Sequence, residues 1–181
     1  VEPGISVSQV NQYLFNKNLT ISSIPSNFEI TVGGAIANNV YGKDSHNFGY
    51  FSQNINKITY IDNNLDIKTL SQKDNKTEFE KFIGTIGLLG IIIEIEINAF
   101  ELKSKYLISK SYYLNNFDEF YQFQQKLNLN EIPFCSFKID PFSKSKNFGR
   151  AFVNTYHWDY ANTEGKLDEV KDINLFKKFN F

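Results

Sequence analysis

The stretch TVGGAIANNVYGKDSH, residues 31–46, combines the residue types best suited to holding a ligand with the backbone itself. Gly33 and Gly34 open a run of small side chains, and a third glycine, Gly42, stands beside Lys43. Without Cβ atoms, glycines let a phosphate approach main-chain amides, and a helix that starts there adds the positive end of its dipole. The spacing matches neither the G-x-G-x-x-G nor the G-x-x-x-x-G-K-[ST] pattern. The alternative is structural: a tight turn and a small-residue helix packed closely on a sheet.

Lys43 and His46 are the residues near these glycines that could act on a bound ligand. A lysine is usually a solvated surface group, but an ammonium held over a pocket would stabilise a developing oxyanion or a negatively charged cofactor. His46 has the alternative of being a structural histidine whose ring nitrogens are satisfied within the fold. The local pattern leaves both alternatives open for both residues.

The other chemically versatile residues are assigned structural roles. Cys135 alternates with Phe137 on a predicted strand and is interpreted as a buried apolar residue. Asp140 and Arg150 are predicted to form a structural pair, with a substrate contact as the alternative, and His157 is interpreted as structural. The sequence shows no zinc-ligand spacing, no Ser-His-Asp pattern and no basic-aromatic patch for nucleic acid.

Composition narrows the class of protein further. The 181 residues carry a formal net charge of −1, which does not favour nucleic-acid binding, and 16% are aromatic, which favours a packed core. The single cysteine excludes an internal disulfide. The longest apolar stretch, IGLLGIIIEIEI, is interrupted by Glu94 and Glu96 and falls short of the ~20 residues that span a bilayer. Because the chain begins with Val1 and contains no methionine, we expect it to be an interior piece of a longer protein.

The elements that must position the glycine-rich stretch are predicted from local patterns. Ser6 and Gln9 have the spacing of a capping box, which predicts a helix within residues 5–18. Two alternating runs around the Asp62–Asn64 turn predict a β-hairpin over residues 55–71.

Three further segments of the first half have characteristic patterns. FEITV, residues 28–32, predicts a brief strand that leads into the glycines, and residues 76–90 predict a helix that ends at its own glycines. Residues 91–100 alternate between isoleucine and glutamate, which predicts a strand with one buried face and one solvated face. The buried set is Ile93, Ile95 and Ile97, and the solvated set is Glu94 and Glu96.

The second half predicts strands at residues 105–114, 133–140 and 149–158 and an amphipathic helix at residues 115–129. Asn116 is the predicted N-cap of that helix, with Glu119 at the third position. Its predicted apolar stripe consists of Phe117, Phe120, Tyr121 and Leu127. Residues 167–181 are interpreted as a further helix. The mixture predicts the α+β class, with a boundary near Phe100–Lys105 that separates domains 1–102 and 103–181.

Taken in order, these motifs resemble the flavin-binding half of vanillyl-alcohol-oxidase-type oxidoreductases, whose FAD-binding domain is called PCMH-type. Within that family the resemblance is greatest to sugar oxidases of the decaprenylphosphoryl-β-D-ribose oxidase kind, and it extends to about His157. The matching pieces are Pro3-Gly4, Pro25, Thr31–Ala37, Gly42-Lys43, His46, Gly49, Phe51, Gly84–Ile92, FKID at 137–140 and FGRAFV at 148–153.

The resemblance implies a fold, a cofactor and a set of site residues. The fold implied is the second lobe of a PCMH-type FAD-binding domain, residues 1–102, followed by the start of an α+β substrate domain, residues 103–181. FAD is the implied cofactor, Lys43 is the implied catalytic residue, and Lys43 and His46 are implied to line the substrate pocket. No metal is implied. The implied cofactor-binding residues are Thr31, Val32, Gly33, Gly34, Asn38, Asn39, Val40, Tyr41, Gly42 and Ile92.

The implied reaction is hydride transfer to flavin from a hydroxyl-bearing carbon of a sugar or lipid-linked sugar. A sugar-lactone (aldonolactone) oxidase is the alternative enzyme, and a non-catalytic α+β interaction module is the alternative outside enzymes. The resemblance also implies a partner reductase or epimerase. The unpaired cysteine and the lack of a recognisable export signal lead us to expect residence in the cytoplasm or at the periphery of the inner membrane. The family's usual histidine is Tyr41 here, so its covalent or acid–base role does not carry over. The family uses an earlier glycine-rich loop as well, so we expect this chain alone to bind FAD weakly or not at all.

Overall fold

A computed structural model describes residues 1–161, which form five α-helices and three small antiparallel sheets. The helices are α1 Val7–Phe15, α2 Val32–Ala37, α3 Ser45–Phe48, α4 Lys76–Phe82 and α5 Phe117–Lys126. The strands are β1 Leu19–Thr20, β2 Ile55–Ile61, β3 Ile67–Ser71, β4 Ile91–Ile97, β5 Phe100–Glu101, β6 Leu107–Leu114, β7 Phe134–Ile139 and β8 Ala151–Trp158. Short 3₁₀ turns lie at Phe51–Asn54, Leu129–Glu131 and Ser145–Asn147. The predicted α+β class is confirmed.

The first sheet has the strand order β3–β2–β4, with every pair antiparallel. The predicted hairpin is confirmed, because β2 and β3 pair across the Asp62–Asn64 turn. Ile58 of β2 pairs with Leu70 on one side and Ile95 on the other, and all three side chains are buried. Helices α1, α2 and α4 cover this row and complete one apolar core.

One part of the strand prediction for β4 is wrong. Ile95 is buried and Ile97 is half-buried, but Ile93 is 36% exposed. The register between β2 and β4 shifts between Thr59 and Tyr60. A shift of one residue turns a side chain to the other face of a sheet, so the alternation of the sequence does not continue through this point.

Helix α1 begins as its sequence predicts. The Ser6 side chain accepts from the Gln9 amide at 3.1 Å, and the Gln9 side chain accepts from the Ser6 amide at 3.0 Å. The strand predicted at residues 28–32 is wrong. The carbonyls of Phe28 and Ile30 accept from the first amides of α1, so this segment caps a helix, and only Thr31 makes an isolated bridge, to Ser6.

The second sheet has the order β6–β8–β7, again antiparallel. Helix α5 packs on it through Phe120, which is buried with Ala151 and Val153. The predicted N-cap Asn116 is confirmed by its side chain, which accepts from the Glu119 amide at 2.9 Å. Tyr121 does not belong to the apolar stripe, because it is 55% exposed.

The short strands β1 and β5 pair with each other, so the chain returns to the first half just before β6 begins. The domain boundary remains a prediction, and the helix predicted at residues 167–181 lies outside the described residues. Within residues 1–161, no helix is both long and apolar enough to cross a membrane.

Candidate functional site

The glycine pair lies inside α2, and the amides of this helix start are used within the fold. The Val32 amide donates to the Ile5 carbonyl at 2.9 Å, and the Gly33 amide donates to the Pro3 carbonyl at 2.9 Å. The Gly34 amide donates to the side chain of the N-cap residue at 3.1 Å. The first amides of α2 are therefore already satisfied by the chain itself.

The amides that follow α2 are paired in the same way. The donor–acceptor pairs are Asn38 to the Gly34 carbonyl at 3.1 Å, Asn39 to the Ile36 carbonyl at 3.0 Å, Val40 to the Ala35 carbonyl at 3.1 Å and Gly42 to the Ser45 hydroxyl at 2.8 Å. The expectation that these amides surround a nucleotide is therefore wrong for residues 32–34, 38–40 and 42.

Close packing explains two of the three glycines. A Cβ at Gly33 would lie 2.9 Å from the Cβ of Pro3, and a Cβ at Gly42 would lie 2.6 Å from the carbonyl oxygen of Ile24. Such separations are too short for carbon atoms to occupy, so the backbone segments could not approach this closely with larger residues. Close packing therefore accounts for Gly33 and Gly42, and their assignment to the cofactor remains a prediction.

The side chains that the stretch presents to solvent are those of Thr31, Asn38, Tyr41, Lys43 and His46. Tyr41 is 69% exposed. Asn39 has a positive φ of 44°, and its buried Oδ1 has no hydrogen-bond partner among the described residues. These side chains offer hydrogen-bonding groups and an aromatic face, which fit a flavin nucleotide better than the paired amides do.

The second glycine motif, residues 84–92, lies directly against the end of α2. The Gly84 amide donates to the Ile36 carbonyl at 3.1 Å, and the Ile86 amide donates to the Ala37 carbonyl at 2.9 Å. The chain then enters β4, where Ile92 is half-buried against the core that also contacts Val40. The fold thus brings together the two motifs that the resemblance assigns to the cofactor, although 50 or so residues separate them in sequence.

The backbone carbonyl and the side-chain ammonium of Lys43 both contact residues of the second half of the chain. Its carbonyl accepts from the Cys135 amide at 2.8 Å, and its Nζ lies 4.9 Å from the centre of the Tyr156 ring, a cation–π arrangement. Next to it, the buried carboxylate of Asp44 accepts from the Ser23 amide at 2.9 Å. Burial raises the pKa of the Asp44 carboxyl, against the lowering effect of that hydrogen bond.

His46 lies at the contact between the two halves of the chain. Its Nε2 is 2.8 Å from the Ile132 carbonyl oxygen, and its Nδ1 is 3.7 Å from the Cys135 sulfur. Asn47 donates to the same Ile132 carbonyl at 3.0 Å. We call this set, with Lys43, the junction. The prediction that Cys135 is buried is confirmed, and burial raises the pKa of its thiol.

A cleft of about 800 Å³ opens beside Lys43, between the loop after β1 and the second sheet. Its lining combines aromatic side chains with charged and polar ones, including Lys43 and Asn47 but not His46. The aromatic side chains are Phe15, Phe28, Phe48, Phe100, Phe134, Trp158 and Tyr160. A cleft of this volume, with both apolar and polar groups, is typical of a site for a small organic molecule.

Sequence reasoning missed Asp44, Asn47 and the aromatic walls of the cleft. Asp44 lies in the quoted stretch and Asn47 directly follows it, so proximity to His46 was the available signal. Phe134 and Trp158 come from the two strands β7 and β8, and no local pattern links them to the first half. The predicted structural pair of Asp140 and Arg150 is confirmed by a 2.9 Å ion pair.

Residues 1–71 match the FAD binding domain family, and this match confirms the predicted cofactor, FAD. This match also confirms the resemblance to FAD-binding oxidoreductases. The chain is 25% identical over 155 residues to the decaprenylphosphoryl-beta-D-ribose oxidase of Mycolicibacterium smegmatis, covering 85% of the chain and 34% of that protein.

Two D-arabinono-1,4-lactone oxidases are also similar. That of Candida albicans is 24% identical over 176 residues, covering 87% of the chain and 31% of the relative. That of Yarrowia lipolytica is 31% identical over 93 residues, covering 51% of the chain and 18% of the relative. The chain thus spans about a third or less of the length of these relatives.

Proposed function

We propose that this chain is part of an FAD-dependent oxidase that removes a hydride from a hydroxyl-bearing carbon of a sugar or a lipid-linked sugar. The FAD binding domain match and the names of the relatives support this proposal, since the relatives are oxidases of a lipid-linked ribose and of a sugar lactone. When bound, FAD supplies the acceptor for the hydride. The residues of this chain orient the substrate, exclude water and stabilise charge.

The observation that carries the proposal is the position of Lys43. It follows the α2 segment of the FAD-binding domain directly, and it lines the cleft with its ammonium held over the Tyr156 ring. When the hydroxyl proton of a carbinol leaves to a base ahead of the hydride, negative charge develops on the oxygen, and a fixed ammonium stabilises such charge without reorganisation. The side chains of Asn38 and Tyr41, which face solvent beside it, are the residues we propose to contact FAD.

The walls of the cleft favour a substrate with a substantial apolar part. A free sugar lactone has little apolar surface, whereas the lipid part of a lipid-linked sugar would bury much more against the aromatic side chains of the cleft that Lys43 also lines. We therefore propose a lipid-linked sugar over the aldonolactone. The membrane surface then becomes the place where substrate is found, which supports the peripheral location that we propose over a purely cytoplasmic one.

The same chemistry suggests a partner. Oxidation converts the hydroxyl-bearing carbon to a ketone or a lactone, and a ketone becomes useful as an inverted alcohol only after reduction. We propose a reductase or epimerase as the enzyme that consumes the product. The test is whether a ketone accumulates when the oxidase acts alone on its lipid-linked substrate.

The experiment uses the full-length, FAD-loaded protein and follows bleaching of the visible flavin absorbance under anaerobic conditions with a panel of lipid-linked sugars and free lactones. We expect bleaching by a lipid-linked sugar, and a drop of about 10²-fold or more in its rate for Lys43→Met, as expected for losing a charge-stabilising group. Lys110→Met, an exposed lysine on β6, is the matched control. Bleaching by lactones alone would assign the lactone oxidase, and a colourless protein that FAD does not stabilise would favour the interaction module.

A further inference from the structure

We propose that His46 is a positioning residue: its imidazole holds the second half of the chain against the segment that carries Lys43, and so fixes where the ammonium points. The role of Lys43 itself rests on the proposed function. The claim about His46 does not, because it concerns contacts that exist without flavin. It also replaces the expectation that His46 lines the substrate pocket.

The contacts of His46 favour one of its two neutral tautomers. A carbonyl oxygen is only an acceptor, so the 2.8 Å contact with Ile132 is a hydrogen bond only when Nε2 carries the proton. The Asn47 amide nitrogen lies 3.1 Å from the same Nε2 and, in this tautomer, donates to the Ile132 carbonyl instead. In the neutral ring Nδ1 is then the acceptor, and the Cys135 sulfur at 3.7 Å donates its S–H to it. Asn47 fills the second lone pair of the Ile132 carbonyl. With both nitrogens engaged, the ring has no free polar atom for a substrate.

The link from His46 to Lys43 is short and stiff. His46 lies in the four-residue helix α3, three positions after Lys43. Ile132 and Cys135, the partners of the ring, lie at the entry to β7, and the Cys135 amide donates to the Lys43 carbonyl at 2.8 Å. Releasing the ring therefore loosens the segment whose amide holds the Lys43 backbone.

The second sheet transmits this constraint to the ammonium. Tyr156 of β8 pairs with Phe134 of β7, the neighbour of Cys135. The ring over which the Lys43 ammonium lies is thus fixed to the same strand that His46 holds. If β7 moves away from α3, the carbonyl contact and the cation–π contact of Lys43 are lost together.

The test uses two NMR measurements on the full-length protein before flavin is added. Hydrogen exchange of the Cys135 amide reports its bond to the Lys43 carbonyl. The chemical shift of the Lys43 ε-methylene protons reports their position over the Tyr156 ring, because the ring current shifts them upfield. Tyr156→Leu, which removes the ring, gives the reference for an unshifted lysine.

Three histidine variants separate hydrogen bonding from bulk. His46→Leu keeps most of the volume and removes both hydrogen bonds, so we expect Cys135 exchange to accelerate by about fivefold or more and the Lys43 shift to move toward the reference. His46→Gln places an amide nitrogen near the position of Nε2, so we expect it to restore most of both signals. His157→Leu, which changes the other histidine of the chain, leaves both signals unchanged.

The proposal fails if His46→Leu leaves both the exchange rate and the Lys43 shift as they are. It also fails if His46→Gln behaves like His46→Leu, since bulk and not the hydrogen bond would then matter. Should His46→Leu not fold, ¹⁵N shifts of the wild-type ring decide: a proton on Nδ1 instead of Nε2 contradicts the proposal. None of these outcomes depends on flavin, so a failure of the proposed oxidase would leave the result intact.

Discussion

Arg150 donates from Nε to Asp140 Oδ2 at 2.9 Å, which closes the connection between β7 and β8. The same carboxylate accepts from the amides of Phe142 and Ser143, and the Asp140 amide donates to the Arg150 carbonyl. Hydrogen bonds from Ser143 and Phe142, with the Arg150 charge, lower the pKa of Asp140 to about 2. One side chain thus organises the whole turn.

We expect Asp140→Asn to be less stable than wild type at neutral pH. The folded pKa lies below the ordinary value of 3.8, so the unfolded chain binds the proton more readily. The stabilisation is therefore present above pH 3.8 and is lost as the pH falls toward about 2. Urea unfolding of variant and wild type should show the largest difference at neutral pH and a smaller one below pH 3.8. Asp66→Asn, in an exposed turn, is the control. If the free energies of unfolding of Asp140→Asn and wild type differ as much at low pH as at neutral pH, the stabilising role of the Asp140 carboxylate is contradicted.

Gly42→Ala should destabilise the chain by about 1–3 kcal/mol or more, because the added methyl would overlap the backbone of Ile24. Both the nitrogen and the oxygen of Ile24 lie within 2.7 Å of that methyl position, and backbone atoms move less readily than side chains. Gly4→Ala is the matched control, since nothing lies within 4 Å of its added methyl. Denaturant unfolding should give a clearly lower free energy of unfolding for Gly42→Ala than for Gly4→Ala. Equal values for the two variants would contradict the explanation by close packing.

Ile86→Asn should stabilise the chain by about 1 kcal/mol. Ile86 has a φ of 55°, which is unfavourable for a β-branched residue and costs roughly 1–2 kcal/mol, whereas asparagine tolerates it. Its side chain is 72% exposed, so little packing is lost. Thermal unfolding should show a higher midpoint temperature for Ile86→Asn than for wild type. The control Leu88→Asn, whose side chain is 77% exposed, should not raise the midpoint. A lower midpoint for Ile86→Asn would show that this side chain packs against something.

Asn54→Leu should destabilise the chain by about 3 kcal/mol or more. The fully buried Asn54 side chain accepts from the amide and hydroxyl of Ser22 and donates to the carbonyls of Ser22 and Phe51. Leucine has a similar size but leaves these groups without partners, each at a cost of about 1–3 kcal/mol. Asn63→Leu, in the exposed hairpin turn, is the comparison, and urea unfolding is the measurement. If Asn54→Leu lowers the free energy of unfolding no more than Asn63→Leu does, water replaces the hydrogen bonds of the Asn54 amide.

The elements that the sequence predicted correctly are those decided by neighbouring residues. The caps at Ser6 and Asn116 and the turn at residues 62–64 involve groups within a few positions of each other. Asp140 and Arg150 are ten positions apart and close a single turn. Local rules suffice in such cases because both partners lie within one element or its connection.

The errors arose where a distant segment decided the outcome. Residues 28–32 are not a strand because their carbonyls cap α1, and the amides after Thr31 are not free because Pro3 and Ile5 accept from them. His46 and Ile132 are 86 positions apart, so no pattern near either residue could reveal the junction. The glycines correctly indicated a close approach, but the approaching group is the chain itself.

The order β6–β8–β7 has a consequence for how the chain is made. The central strand, Ala151–Trp158, is the last of the three to leave the ribosome, so its two neighbours emerge with no strand between them. Until it arrives, both expose unpaired edges that are prone to association with other nascent chains. Translation must pass Trp158 before the three strands can pair, so the pairing of β6 and β7 waits for a segment that follows both of them in sequence.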